Sequence, residues 1–246
     1  SRTDPDSGYM VRDGKPKGFF YLDHRTVDGR HAIITDTHVT PANVHDSIVY
    51  LERLDRQRER FEFNVGAVGL DASYATSGIA KGLEDRKILG VTGYRNPTPP
   101  RDGMMRKSKF VFEPEVDGYR CPNGQLLTYA TTDRNGYKHY RSDPSLCRDC
   151  PLLASCTANA KAERTITRHV WADARGRTDA NRKTARGKAI YKRRKETVER
   201  SFADAKQLHG HRYARFRGLV KVQWQCLLAA AAQNIKKIAI AMTKAP

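Results

Sequence analysis

The stretch Val65-Gly66-Ala67-Val68-Gly69-Leu70-Asp71 is a short apolar run closed by an acid. A run of this length without polar alternation is the pattern of a strand buried on both faces. Upstream, Ile48, Leu51 and Leu54 form a helical stripe that continues to about Arg60. The loop Thr40-Pro41-Ala42-Asn43-Val44-His45-Asp46 leads into it with helix-start residues. Further upstream, residues 19–24 and 31–35 read as two strands, with Asp28-Gly29 as the hairpin turn between them. Downstream, a helix is expected over residues 77–86 and a second buried strand over 88–94. The order β-β-α-β-α-β puts the first hundred residues in the α/β class.

Asn96-Pro97-Thr98-Pro99-Pro100 interrupts this pattern. From there to about His169 the chain is turn-rich, poor in apolar core and carries four of the five cysteines. The expected organisation is a first core segment over 1–95, a small Cys-rich insertion over 96–170, and a helical completion over 171–246. A helical pattern runs from about Arg182 to Leu208 and stops at His209-Gly210. A second helix, rich in Ala and Leu, spans residues 219–242 and suits packing on a sheet.

Charge narrows the partners. Forty-five Lys and Arg face 27 Asp and Glu, a net charge of +18. Residues 161–220 hold 18 basic and 6 acidic side chains, so the surplus is concentrated there. Such a surplus favours a polyanion, because each phosphate neutralised releases counterions. A membrane surface fits less well: there is no signal-peptide pattern, and Lys221, Gln225, Gln233, Asn234, Lys236 and Lys237 interrupt the most apolar segment. The expected location is the cytoplasm. The opening Ser1-Arg2-Thr3-Asp4-Pro5-Asp6 reads as the middle of a longer sequence.

Two carboxylates stand out. Asp71 lies where an apolar strand stops, the end at which open α/β sheets build sites; a loop or helix-capping aspartate is the alternative. Glu199 lies in Tyr191-Lys192-Arg193-Arg194-Lys195-Glu196-Thr197-Val198-Glu199. On a continuous helix, Lys195, Glu199, Phe202 and Lys206 share one face beside a buried edge, although an ordinary solvated helix with Glu–Lys pairs has the same spacing. Phosphodiester chemistry uses carboxylates from distant positions to hold Mg²⁺, with cations beside them to grip phosphate. Cys121, Cys147, Cys150 and Cys156 suit a structural tetrahedral zinc; four reduced thiols are the alternative. Cys226, on an apolar helix, reads as core. His24, His31, His38 and His45 recur every seven residues, but in a hairpin and loop that period is expected to bring nothing together. Arg212-Tyr213-Ala214-Arg215-Phe216-Arg217 interleaves cations with rings, as DNA contact with stacking would need.

These residues resemble the DDE-type transposases of bacterial insertion sequences, in the subgroup with a cysteine-bearing insertion. The resemblance rests on Thr3-Asp4-Pro5-Asp6, on Val39-Thr40-Pro41-Ala42-Asn43-Val44-His45-Asp46-Ser47, on Gly69-Leu70-Asp71-Ala72-Ser73-Tyr74, and on Glu199 with Lys206. It implies a ribonuclease H-like mixed sheet with flanking helices, interrupted by the insertion. It implies DNA transposition, a recombination reaction: metal-dependent cleavage and strand transfer at transposon ends with Mg²⁺ or Mn²⁺. By resemblance, Asp71 and Glu199 are catalytic metal ligands and Lys206 contacts DNA. Tyr191 and Arg194 support the site and, with Lys195, are expected to bind DNA; the cation–ring stretch adds Arg212, Arg215 and Arg217 as DNA contacts, and a homodimer on DNA fits. The family has Gly where Ser73 stands, and Arg four positions before Glu where Lys195 stands. Asp46 matches a non-catalytic loop. The first catalytic Asp, at the end of a central strand upstream of Asp4, is missing, so the chain alone is expected to be inactive. The rival readings are a zinc-stabilised, non-catalytic DNA-binding remnant and a related nuclease without transposition.

Overall fold

The computed structural model describes all residues except 12, 13, 15, 102 and 244–246. The chain divides into two compact units: Ser1–Arg95 with Ala174–Pro246, and Asn96–Asp173.

In the first unit, β1 (Gly8–Met10), β2 (Gly18–Val27) and β3 (Ile34–Pro41) form an antiparallel sheet with β2 in the middle. The β2–β3 pair runs in register from Tyr21↔Pro41 to Val27↔Ile34. Its turn is longer than the expected Asp28-Gly29 hairpin. The Asp28 carboxylate accepts from the backbone of Arg30 and His31, and its backbone N–H donates to Ile33. Asp28 thus organises a wide Asx-type loop, which lets β3 start later and run into what was read as loop.

Helix α1 (Asp46–Phe61) follows, with His45 as its N-cap, Asp46 in the first turn and Arg58 and Arg60 in the last, as the helix dipole favours. Strand β4 (Ala67–Leu70), α2 (Ser77–Asp85) and β5 (Leu89–Thr92) complete a right-to-expectation βαβ unit, with β4 and β5 parallel. Leu54, Leu70, Ile79, Leu83 and Ile88 form its core. Gly82 matters here: a Cβ on it would sit 2.3 Å from the end of the Leu51 side chain, so a larger residue would have to push Leu51 aside where α2 meets α1.

The second unit corrects the expectation of a turn-rich insertion with little core. Strands β6 (Val111–Glu113), β7 (Gly118–Arg120), β8 (Leu126–Thr132), β9 (Tyr137–Arg141) and β10 (Thr165–His169) form a five-stranded antiparallel sheet in the order β10-β9-β8-β7-β6. Phe110, Tyr119, Leu127, Tyr140 and Ile166 pack on it. Burying each such side chain contributes roughly 1.5–3 kcal/mol. Tyr140 is fully buried and its hydroxyl donates to Asp117 at 2.7 Å. Two single-turn helices, α3 (Pro144–Cys147) and α4 (Leu153–Cys156), each end on a cysteine, and Cys150 lies in the turn between them.

The expected helix over 182–208 is not continuous. The chain forms α5 (Ala172–Asn181), α6 (Ala185–Arg193), a π turn at Lys195–Glu199 and α7 (Arg200–Leu208). Helix α8 (Leu219–Thr243) then lays Val222 and Cys226 against Val39 of β3. Its start is capped from the N-terminal segment: Asp6 accepts from the Leu219 backbone N–H, and Asp4 accepts from Gly218 and from the Tyr21 hydroxyl. Burial, then the Asp4 bond and the Asp4 and Asp6 charges, push the Tyr21 hydroxyl up to about 12.

The two sheets of the first unit are not joined. Among the described residues, β4 pairs with β5 and β2 with β1 and β3, and no strand lies between β2 and β4. The single mixed sheet expected from the sequence is therefore split. A cavity of about 1170 Å³ occupies the gap, lined by consecutive residues 22–29 beside β2 and 63–71 beside β4.

Candidate active site

Asp71 follows the last residue of β4 and caps a short 3₁₀ turn, Ala72–Tyr74. Its Oδ1 accepts from the Ser73 backbone N–H at 2.8 Å and lies 2.6 Å from the Ser73 hydroxyl. That hydroxyl is also 3.0 Å from Asp46 Oδ2. Asp46 Oδ1 in turn faces His24 Nδ1 at 3.2 Å, and His24 Nε2 meets the Thr40 hydroxyl at 2.7 Å. Ser73 therefore bridges two carboxylates. Sequence reasoning set Asp46 aside as a loop residue, yet it lines the same cavity as Asp71. The available signal was the N-terminus of α1, which aims Asp46 at the end of β4.

Burial raises the Tyr74 hydroxyl, and the Asp46 and Asp71 charges raise it further, against the Arg194 cation. The phenol stays protonated and supplies an apolar wall with a neutral donor.

Glu199 ends the π turn. Its backbone N–H donates to Arg194 O at 3.1 Å, a five-residue bond in place of the helical four-residue one. The Thr197 hydroxyl also donates to Arg193 O. π turns inside helices are rare and concentrate at functional sites. The extra residue shifts the register, which corrects the face expected from helical spacing: Lys195 is exposed and does not line the cavity, whereas Arg194 does. Arg194 Nη1 lies 3.6 Å from Glu199 Oε1, and its guanidinium stacks 5.2 Å from the Tyr191 ring. The cation five positions before Glu199 takes the place that spacing had given to the one four before.

Asp71, Asp46, Glu199, Arg194, Lys206 and Arg212 all border the cavity. Tyr191 packs behind it, with its hydroxyl 2.7 Å from where a Cβ on Gly93 would sit, so Gly93 is needed for the ring to reach this position. Arg215 and Arg217 do not line the cavity; they are exposed on the loop between α7 and α8 with Tyr213 and Phe216. That loop is tied to α8, where Gln225 bonds the backbone of Arg215 and Tyr213.

Asp23 of β2, which also borders the cavity, is nearly enclosed. Its Oδ2 lies 2.6 Å from Arg25 Nη2 and 3.2 Å from His211 Nε2, and the Thr37 hydroxyl donates to Oδ1. Burial alone would raise this carboxyl; the His211 bond, the Arg25 charge and the Thr37 bond outweigh it and hold it below the usual range. Asp23, His211 and Cys226 are the one described set with three metal-ligating atoms within 4.8 Å of one another. The carboxylate is already engaged by a guanidinium whose side chain is fully buried, so a cation there would have to displace Arg25. The geometry is that of a satisfied polar network. Burial and the Asp23 charge push the Cys226 thiol up to about 12, as for a core cysteine.

The histidine period is not wholly accidental. His24 and His38 are direct cross-strand partners, with rings 6.1 Å apart, while His45 caps α1 and His31 sits in the wide turn.

In the second unit Cys121, Cys147, Cys150 and Cys156 line one small cavity of about 20 Å³. Burial raises the Cys156 thiol, and the other three cysteines add to the shift against Arg164. No three of their sulfurs lie within 4.8 Å of one another, so a tetrahedral ion would have to draw them inward.

Residues 120–239 match the family model described as Transposase DDE domain. Over that stretch, just under half of its length, the chain is similar to the DDE-type transposases. The match spans the second unit from β7 onward and the helices α5 to α8, and so includes Glu199, Arg194 and Lys206 but not Asp71. The mixed α/β architecture is consistent with a transposase domain of this kind. No curated protein and no solved structure matches the chain. Among the described residues no helix is long and apolar enough to cross a membrane.

Proposed function

We propose that the cavity bordered by Asp71 and Glu199 is the catalytic centre of a DNA transposase that cleaves and joins strands at transposon ends. One observation carries this reading: Asp46, Asp71 and Glu199 border one cavity together with Arg194, Lys206 and Arg212, although they come from distant positions of the chain. Asp71 and Glu199 would hold Mg²⁺ or Mn²⁺, whose preference for carboxylate oxygen the donor set fits, with Asp46 next to them through Ser73. Bound there, the ions would supply nucleophile activation and leaving-group stabilisation. Lys206 and Arg212 hold phosphate oxygens, and Arg194 balances Glu199 until substrate and metal arrive. Water is the attacking group in cleavage and a DNA 3′-hydroxyl in strand transfer. Tyr191 positions Arg194; Lys195, Arg215 and Arg217 lie outside the cavity and act as peripheral DNA contacts.

The unit containing the site is ribonuclease H-like in this reading, and the second unit is the family's cysteine-bearing insertion, stapled by zinc. The gap between β2 and β4 is the position of the strand that carries the first catalytic Asp. The 246-residue chain therefore lacks one arm of the metal site and by itself does not cleave. The binding-remnant reading shares the DNA contacts but gives no reason for carboxylates to face the same cavity as the cations.

The test is Mg²⁺-dependent cleavage and binding of transposon-end DNA by the chain. Binding without cleavage is expected, and binding weakens on Arg194→Ala, Lys206→Ala or Arg212→Ala. Robust cleavage by the chain alone would sink the missing-arm account. Equal DNA binding by all three variants would remove the site.

A further inference from the structure

Helix α8 has two apolar faces. One holds Val222, Cys226, Ala229, Ala230 and Gln233 and is buried. The other is exposed along its whole length: Val220 is 62 % exposed, Trp224 58 %, Leu227 47 %, Ile235 67 %, Ile238 50 % and Met242 73 %, with exposed Ala231 at the centre. A contiguous apolar stripe of this size is unusual on a free monomer surface and marks an interface.

The stripe has a symmetry that identifies its partner. From Val220 to Met242 the steps are four, three, four, four, three and four residues, the same read from either end about Ala231. A two-fold interface requires a surface complementary to itself on reversal. A second α8 laid antiparallel, with the axis through Ala231, sets Val220 against Met242, Trp224 against Ile238 and Leu227 against Ile235. Large meets large at each level, and Ala231 meets its own copy where the helices cross, so the backbones approach closely.

Charge does not oppose the arrangement. Helix α8 contains no acidic residue, so an acidic partner is not pre-matched from within it. Reversal places Lys221 opposite Ala241, Lys236 opposite Cys226 and Lys237 opposite Gln225, so no lysine faces another. Lys237 is moreover turned back onto the Ala32 carbonyl. The six large side chains expose on the order of 700 Å² per copy, close to the roughly 800 Å² per partner of a standard stable interface.

We propose that α8 is a self-association helix, pairing two copies of this chain antiparallel about Ala231 in the absence of DNA. The proposal is independent of the catalytic reading. Sedimentation velocity of the full chain at tens of micromolar without DNA is expected to give a dimer. The double variant Trp224→Lys, Ile235→Lys weakens association at least tenfold and gives a monomer with unchanged far-ultraviolet circular dichroism. Ala231→Cys, which keeps a small residue at the axis, forms a disulfide-linked dimer under mild oxidation, whereas Lys236→Cys, one step off the stripe, does not exceed the unsubstituted chain. A wild-type monomer overturns the proposal. So does a dimer indifferent to the double variant, or cross-linking equal at positions 231 and 236, since either would put the interface elsewhere.

Discussion

At Asp23 a buried carboxylate is held by a buried guanidinium, a histidine and a hydroxyl, and its stability consequence has a definite sign. Its folded pKa lies below the unfolded value of about 3.9. The stabilisation is therefore complete above that value and is lost as pH falls through the lower folded pKa. Denaturant melts of the wild type should lose stability on acidification below about pH 4, and Asp23→Asn should lack that component. At neutral pH the same substitution leaves Arg25 buried without a counter-charge and should cost about 3–5 kcal/mol; a loss below about 1 kcal/mol would mean Arg25 finds solvent. Ser73 offers a second residue-level test. Its hydroxyl lies between Asp71 and Asp46. Ser73→Ala removes that bridge, so the apparent affinity for Mn²⁺ should change by several-fold in a titration, and an unchanged affinity would disconnect Asp46 from the site. The place of Asp71 at the end of β4 was legible in the sequence because a strand end is a one-dimensional signal. Asp46 was not, because its relevance comes from α1 bringing residue 46 beside residue 71.

Element boundaries followed the strength of local signals. The apolar runs of β4 and β5, the stripe of α1 and the length of α8 were readable, since each carries its own periodicity or uniform apolarity. The strands of the second unit were not. They are short, and β8 exposes most of its side chains, so its pattern Leu-Leu-Thr-Tyr-Ala-Thr-Thr resembles a polar loop. The aromatic core appears only when Tyr119, Tyr140 and Ile166 come together from separate strands with Phe110, which precedes β6. The π turn was invisible for a different reason: nothing in Lys195-Glu196-Thr197-Val198-Glu199 forbids an α-helix, and the extra residue is revealed only by the Glu199-to-Arg194 bond. Its consequence is measurable. Arg194→Ala should weaken binding of transposon-end DNA by about tenfold or more, while Lys195→Ala should lower it only by the single-phosphate increment that a salt titration resolves. Equal effects would mean that the helix runs through without the register shift.

For the whole molecule, charge, cysteines and the gap between sheets carry the account. The +18 charge predicts DNA affinity that falls steeply with salt. If zinc draws the four cysteines together, a chelator should lower the melting temperature of the second unit and Cys147→Ser should mimic it; a reduced sample free of zinc and insensitive to chelator would leave four ordinary thiols. The α/β class was readable from element order, and the resemblance implied that a central strand would be lost; how far β2 and β4 then stand apart depends on packing that no local pattern records. The central claim is that Asp71 and Glu199 together hold a divalent metal. Iron-directed cleavage tests it even without DNA hydrolysis: Fe²⁺ with ascorbate and peroxide cuts the polypeptide beside a bound ion. The account predicts cuts next to residues 46, 71 and 199, suppressed by excess Mg²⁺ and absent in Asp71→Asn. Cuts confined to other segments, or unchanged by Asp71→Asn, would contradict it.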